Sequence, residues 1–326
     1  MAMTGMKEMM QRRRHGRVNS ALGVLPPSRA MTVRSVDGTR LHTEVSGPDD
    51  GYPIVLCHGI TCAIRYWAHQ IHDLSKNYRV IAFDHRGHGR SGVPARGGYS
   101  LDLLAADLDA VLAATLQPHE RAVIAGHSMG GIAITSWARC YPDSLARRAD
   151  AVALINTTTG DLLRQVNLLQ VPELLAATRV RIAHELVRGV GSLPVPIGAR
   201  SVSRRVVARM ALAADADPAV KRFLYDLFAH TPPAGRGGCA KMLAEALGPE
   251  HISVEALTVP TLVIGSEQDR LLPIDQSRKI AEAVPDLVAF VELPGGHCSN
   301  LEHPHAVNRH LRDLVVYATA DRRATS

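Results

Sequence analysis

From residue 31 onward, short apolar runs alternate with stretches of helical periodicity. Thr32–Val36 and Leu41–Val45, split by the turn signal Asp37-Gly38, predict a β-hairpin. Ile54–Cys57, Arg79–Phe83 and Ala122–Ala125 are short, nearly continuous apolar runs, as a strand buried on both faces requires. Ala151–Ile155, Thr261–Ile264 and Val288–Val291 complete the set. Between them, Leu101–Leu116 places Leu101, Leu104, Ala105, Leu108, Val111 and Leu112 on one stripe at the helical period. Strand and helix in alternation predict right-handed crossovers and a mostly parallel sheet with helices on both faces.

The alternation lapses after the sixth strand. Residues 158–250 are rich in Leu, Ala and Arg, read as several helices, and are punctuated by Pro194, Pro196, Pro232-Pro233 and Gly235–Gly238. The sheet pattern returns at Val259-Pro260. The expected organisation is therefore an α/β core over 31–157 and 251–318, interrupted by a helical cap over 158–250. A basic arm precedes it (1–30) and a tail follows (319–326). An insertion at the carboxyl ends of parallel strands sits above the crevice where ligands bind, so a cap over a site is the natural consequence.

Composition narrows the class. The 326 residues are 46% apolar and 21% charged with mean hydropathy near zero, which excludes disorder and low-complexity architectures. No apolar run approaches the ~18 residues of a membrane-spanning helix, and no repeat recurs at a solenoid period. The net charge of +6 is uneven: residues 1–18 carry Lys7, Arg12, Arg13, Arg14 and Arg17 against Glu8, leaving a nearly neutral body. That distribution reads as a solvated arm, and no nucleic-acid partner is expected. The short apolar stretch Ala21–Leu25 is broken by Pro26-Pro27 and makes a poor secretory signal, so a cytoplasmic address is expected. The five cysteines (Cys57, Cys62, Cys140, Cys239, Cys298) are scattered and odd in number, which fits free thiols better than a disulfide framework.

The candidate chemistry centres on Gly126-His127-Ser128-Met129-Gly130-Gly131, a G-x-S-x-G string that follows a predicted strand and opens a predicted helix. A serine hydroxyl needs a base to take its proton, and the base needs an orienting acid. His297 follows the last predicted strand, and Asp269 lies just past the strand before it, with Glu267 as its competitor. Oxyanion stabilisation requires two backbone N–H groups: Met129, after the nucleophile, and Ile60, in the loop beyond Cys57-His58-Gly59, are the candidates. His58 reads as a structural hydrogen-bonder. Cys57 and Cys298 flank His58 and His297, which suggests inhibition by thiol reagents. His69-x-x-His72 and His85-x-x-His88 lack the company a metal site requires, and neither metal nor cofactor is expected.

Together His58-Gly59, Asp84–Ser91, Gly126–Gly131, Asp269 and His297 resemble the α/β-hydrolase superfamily, in its serine esterase/lipase-like branch with a helical cap. The resemblance covers roughly residues 31–318. Asp84–Ser91 and Asp269–Ile274 are similar to bacterial monoacylglycerol lipases, whereas the loop Gly59–Trp67 resembles esterases and cofactor-free haloperoxidases. The resemblance implies an eight-stranded, mostly parallel sheet and a carboxylic ester hydrolase working through an acyl-enzyme on small substrates with apolar acyl groups. Serine at the nucleophile position departs from the aspartate of haloalkane dehalogenases and epoxide hydrolases. C–C bond hydrolysis and perhydrolysis stay open within the fold, as does a non-catalytic ligand-binding homologue. The cap arginines Arg164, Arg179, Arg181, Arg188, Arg200, Arg204, Arg205 and Arg209 read first as a solvated face, with contact to an anionic lipid surface as the alternative.

Overall fold

The computed structural model describes residues 22–95, 97–160, 200–248 and 251–325. Its centre is one eight-stranded sheet in the order β1-β2-β4-β3-β5-β6-β7-β8. The strands are β1 (Arg29–Arg34), β2 (Arg40–Ser46), β3 (Pro53–Cys57), β4 (Arg79–Phe83), β5 (Ala122–His127), β6 (Ala149–Ile155), β7 (Thr261–Ser266) and β8 (Leu287–Leu293). β1 pairs antiparallel with β2 and β2 with β4; every pairing from β4 through β3 to β8 is parallel.

The burial pattern explains why these runs pair as they do. All residues of β3, β4, β5, β6 and β7 are buried, as continuous Val, Ile, Leu and Ala demand when helices cover both faces. β8 is the edge strand and is largely half-exposed. One apolar cluster, with Ile54, Trp67, Leu74 and Leu311, lies on one face of the sheet, and another, with Val55, Leu108, Trp137 and Ile280, on the other. The register does the sorting, since Ile54 and Val55 are neighbours that point to opposite faces.

The helices are α1 (Ala68–Leu74), α2 (Leu101–Thr115), α3 (Met129–Cys140), α4 (Pro142–Arg148), α5 (Arg200–Ala211), α6 (Pro218–His230), α7 (Pro233–Ala246), α8 (Ile274–Ala283), α9 (Ser299–Glu302) and α10 (Pro304–Thr325). α2 starts at Ser100, whose Oγ accepts from the Leu103 N–H at 3.1 Å. α6 starts with Asp217 as cap and proline as its first residue. Helices α5, α6 and α7 all fall between β6 and β7.

Three expectations need correction. Val36 is not part of the first strand, which ends at Arg34 and leaves Val36 exposed. Gly235–Gly238 do not break the chain but run inside α7. A Cβ on Gly235 would stand 1.8 Å from the Gly87 carbonyl, so the missing side chain serves close helix–loop packing instead of a turn. The segment read as a C-terminal tail from 319 continues α10 as far as Thr325. Most of the basic arm and cap residues 161–199, with Arg164, Arg179, Arg181 and Arg188, lie outside the described residues. On α5, Arg204, Arg205 and Arg209 are exposed beside exposed Val202 and Val206.

Candidate active site

The parallel strands deliver the candidate residues to one end of the sheet, because each follows a strand's carboxyl terminus. Ser128 lies between β5 and α3 with φ 53° and ψ −119°, a left-handed conformation for a residue with a side chain. The surrounding glycines make the turn sterically feasible. A Cβ on Gly126 would meet the Gly130 carbonyl at 2.4 Å, and one on Gly130 would meet the Cys57 carbonyl oxygen at 2.1 Å. The turn is held by backbone: Ser128 N–H donates to Ile155 O (3.0 Å), and Thr157 Oγ1 donates to Ser128 O (2.8 Å).

Asp269 and His297 meet. His297 Nδ1 lies 2.8 Å from Asp269 Oδ2, both residues being buried. A carboxylate only accepts, so Nδ1–H of His297 donates to Asp269. The Asp269 carboxylate is saturated with donors. Its Oδ1 accepts the Leu271 and Leu272 N–H groups (2.9 and 2.8 Å), and its Oδ2 also accepts from Asn156 Nδ2 (3.2 Å). Glu267, the competing acid, is exposed.

Ser128 is tied to the His297 loop through its neighbour. His127 Nε2–H donates to the His297 carbonyl at 2.8 Å, and the two rings lie 4.8 Å apart. Burial, followed by the proximity of His297, holds His127 well below the usual imidazole range, so it stays neutral. The loop after β3 closes the opposite side: a Cβ on Gly59 would stand 3.1 Å from Ser128 Cβ. Ile60 in that loop packs in the same apolar cluster as Met129. Met129 opens α3, where the helix dipole favours developing negative charge. The sequence candidates Ser128, Met129, Ile60, Asp269 and His297 thus share one end of the sheet.

His58 is a structural bonder. Its Nδ1–H donates to Gly59 O (2.7 Å), its Nε2 accepts the His85 N–H (3.1 Å), and burial holds it well below its ordinary value. Thiol sensitivity is not supported, because Cys57 and Cys298 are buried and burial pushes both thiols up, away from the reactive thiolate. Among the described residues no group of histidines, cysteines and carboxylates could hold a metal ion.

Three supporting features escaped the sequence reading. Asn156 (φ 44°) bridges Asp269, Ser266 Oγ (3.0 Å) and Ser299 Oγ, which donates to Asn156 Oδ1 at 2.6 Å. The available signal was a polar residue directly after the apolar run of β6. Tyr66 lies 3.0 Å from His127 Nε2 and donates to Asn300 Oδ1 (2.8 Å). Glu302 accepts the Gly296 N–H and the Ala213 N–H, each at 2.9 Å, while Cys298 N–H donates to Ala211 O (3.2 Å). The inserted segment is thereby fastened to the His297 loop.

Several known proteins resemble the chain in sequence and fold. Residues 54–310 match the profile of the alpha/beta hydrolase family. A Variovorax paradoxus protein provisionally named carbamate hydrolase RutD is 27% identical over 285 residues, covering 86% of this chain and 97% of its own length. The 3-oxoadipate enol-lactonase 2 of Acinetobacter baylyi is 27% identical over 263 residues, covering 80% and 88%. The solved enol-lactonase of Burkholderia xenovorans superposes with a TM-score of 0.68 at 27% identity, covering 88% of this chain and 100% of that one. With the profile spanning most of its length and the sheet order fixed, the chain belongs to the alpha/beta hydrolase family.

Proposed function

We propose that the chain is a serine hydrolase that cleaves carboxylic esters, lactones included, through an acyl-enzyme. Ser128 attacks the carbonyl carbon. His297 Nε2 takes the hydroxyl proton and returns it to the leaving alkoxide. Water then repeats the sequence on the acyl-enzyme. Asp269 holds the imidazole in the required tautomer and faces the imidazolium that forms. The Met129 and Ile60 N–H groups receive the oxyanion.

One observation carries the reading. The His297 imidazole is hydrogen-bonded through Nδ1 to a buried carboxylate, on a loop that also bonds the residue beside a strained Ser128. Kinship with enol-lactonases supports an ester carbonyl as the target. The helices between β6 and β7 form the cap, a role supported by the bonds from Ala211 and Ala213 to the His297 loop. Free cysteines, four of them buried, support a reducing compartment.

A fluorophosphonate probe should label the purified protein, and Ser128→Ala should abolish both labelling and ester turnover with an unchanged circular dichroism spectrum. Full labelling of that variant would overturn the assignment. A panel of p-nitrophenyl esters, lactones, carbamates and vinylogous diketones locates the substrate class. Turnover of carbamates or diketones without esters would replace the ester reading.

A further inference from the structure

The turn Asp84–Ser91 has no place in the chemistry above, yet it holds the loop that does. Asp84 Oδ1 accepts the Ile64 N–H (2.7 Å), the His85 N–H donates to His58 Nε2 (3.1 Å), and His88 Nε2 accepts the Thr61 N–H (3.0 Å). Three bonds from one turn therefore brace residues 58–64, the segment containing Ile60.

We propose that His88 is a positioning residue for the oxyanion-binding loop, fixing the Thr61 peptide and through it the Ile60 amide. The proposal rests on the serine-hydrolase reading. The geometry that carries it is specific. His88 Nδ1 contacts the Arg86 carbonyl at 3.0 Å, and a carbonyl only accepts, so Nδ1 bears the proton and Nε2 is free to accept from Thr61. Thr61 has φ 60°, a left-handed conformation that a β-branched residue does not adopt unaided. Such a conformation persists where its surroundings over-determine it, and the His88 bond is a partly buried side-chain bond on that residue's own amide. The peptide joining Ile60 to Thr61 is planar and trans, so anchoring its N–H also sets the direction of the Ile60 carbonyl. Without the anchor, Thr61 relaxes toward negative φ, the Ile60–Thr61 peptide turns, and the adjoining Gly59–Ile60 peptide that carries the Ile60 N–H loses its fixed neighbour. The role needs a neutral ring, since a proton on Nε2 would oppose the Thr61 N–H; burial pushes His88 down to about 4 and keeps it neutral in ordinary buffers.

His88→Phe keeps a ring of similar size and removes the acceptor. Its kcat and its rate of Ser128 labelling by a fluorophosphonate should fall at least tenfold, with KM within about twofold, because the lost interaction is made with the transition state. Thr61→Gly in that background should recover most of the loss, since glycine holds positive φ without help. His88→Gln, which keeps an acceptor, should label within about threefold of the parent. If His88→Phe does not fold, His88→Met carries the same expectation. Parent-like labelling of a folded acceptor-free variant, a loss confined to KM, or collapse of activity in folded His88→Gln would overturn the proposal. Absence of Ser128-dependent labelling in the parent protein would instead overturn the serine-hydrolase reading beneath it.

Discussion

Mild acid should remove much of this protein's stability, and buried imidazoles set the amount, three of them by ~4 kcal/mol. Burial pushes His85 down to about 3 and His88 and His69 to about 4, with neighbouring His88 adding to the effect on His85, and His305 and His72 to that on His69. In the unfolded chain each would titrate at the ordinary 6.5. Between those values the unfolded state binds more protons than the folded one, so stability rises with pH. It is fully present above about pH 7 and is lost as the pH falls through 6.5 toward the folded values. At pH 5.5 each ring forgoes about one pKa unit, or ~1.4 kcal/mol, so the three together remove ~4 kcal/mol from a domain stability of ~5–15 kcal/mol. Burial lowers His58 and His127 as well, so they act in the same direction. Asp84, Asp107 and Glu302 are raised by burial and act in the opposite sense as the pH climbs above their ordinary values of 3.8, 3.8 and 4.5. Urea unfolding followed by circular dichroism at pH 7.5, 6.5 and 5.5 measures the fall. His85→Leu, which removes one titrating ring, should shrink it by ~1.4 kcal/mol. A stability at pH 5.5 within ~1 kcal/mol of that at pH 7.5 would refute the reasoning.

The remaining expectations concern the site and its scaffold. Asp269→Asn keeps an acceptor for Leu271 and Leu272 but loses the charge and favours the wrong His297 tautomer; kcat should fall ~10³–10⁴-fold, and steady-state kinetics showing a loss under tenfold would remove Asp269 from the mechanism. Gly130→Ala sets a Cβ 2.1 Å from the Cys57 carbonyl, backbone against backbone, so the β5–α3 turn must move. Probe labelling should vanish or soluble yield collapse, and a well-folded, fully labelled variant would contradict the packing. Arg86 is fully buried and bidentate on Asp107 (2.7 and 2.6 Å), with further bonds to Asp37, Gly98 O and Ser35. Asp107→Leu leaves that charge under-compensated and should cost ~3–5 kcal/mol in urea unfolding.

Much of this was legible in the chain. Strands buried on both faces must be apolar at consecutive positions, so β3 to β7 announced themselves, and β4 over Arg79–Phe83 did so to the residue. The tight turn at Ser128 was visible because a strained strand-to-helix turn needs small residues at fixed offsets, and that need is local. His297 and Asp269 were visible because parallel strands put everything after their carboxyl ends on one side of the sheet.

What stayed hidden is whatever depends on partners distant in sequence. Gly235 looked like a breaker because its reason, the backbone at Gly87, lies about 150 positions away. Asn156 and Ser299 are common polar residues whose meaning comes from meeting Asp269 and each other across three different strand ends. The choice between Glu267 and Asp269 turned on which side chain the β7 end points inward, a two-residue difference that composition does not encode. Local periodicity sets which segments become strands and helices; the close packing of those segments decides which polar atoms find one another, and with them where a proton can move.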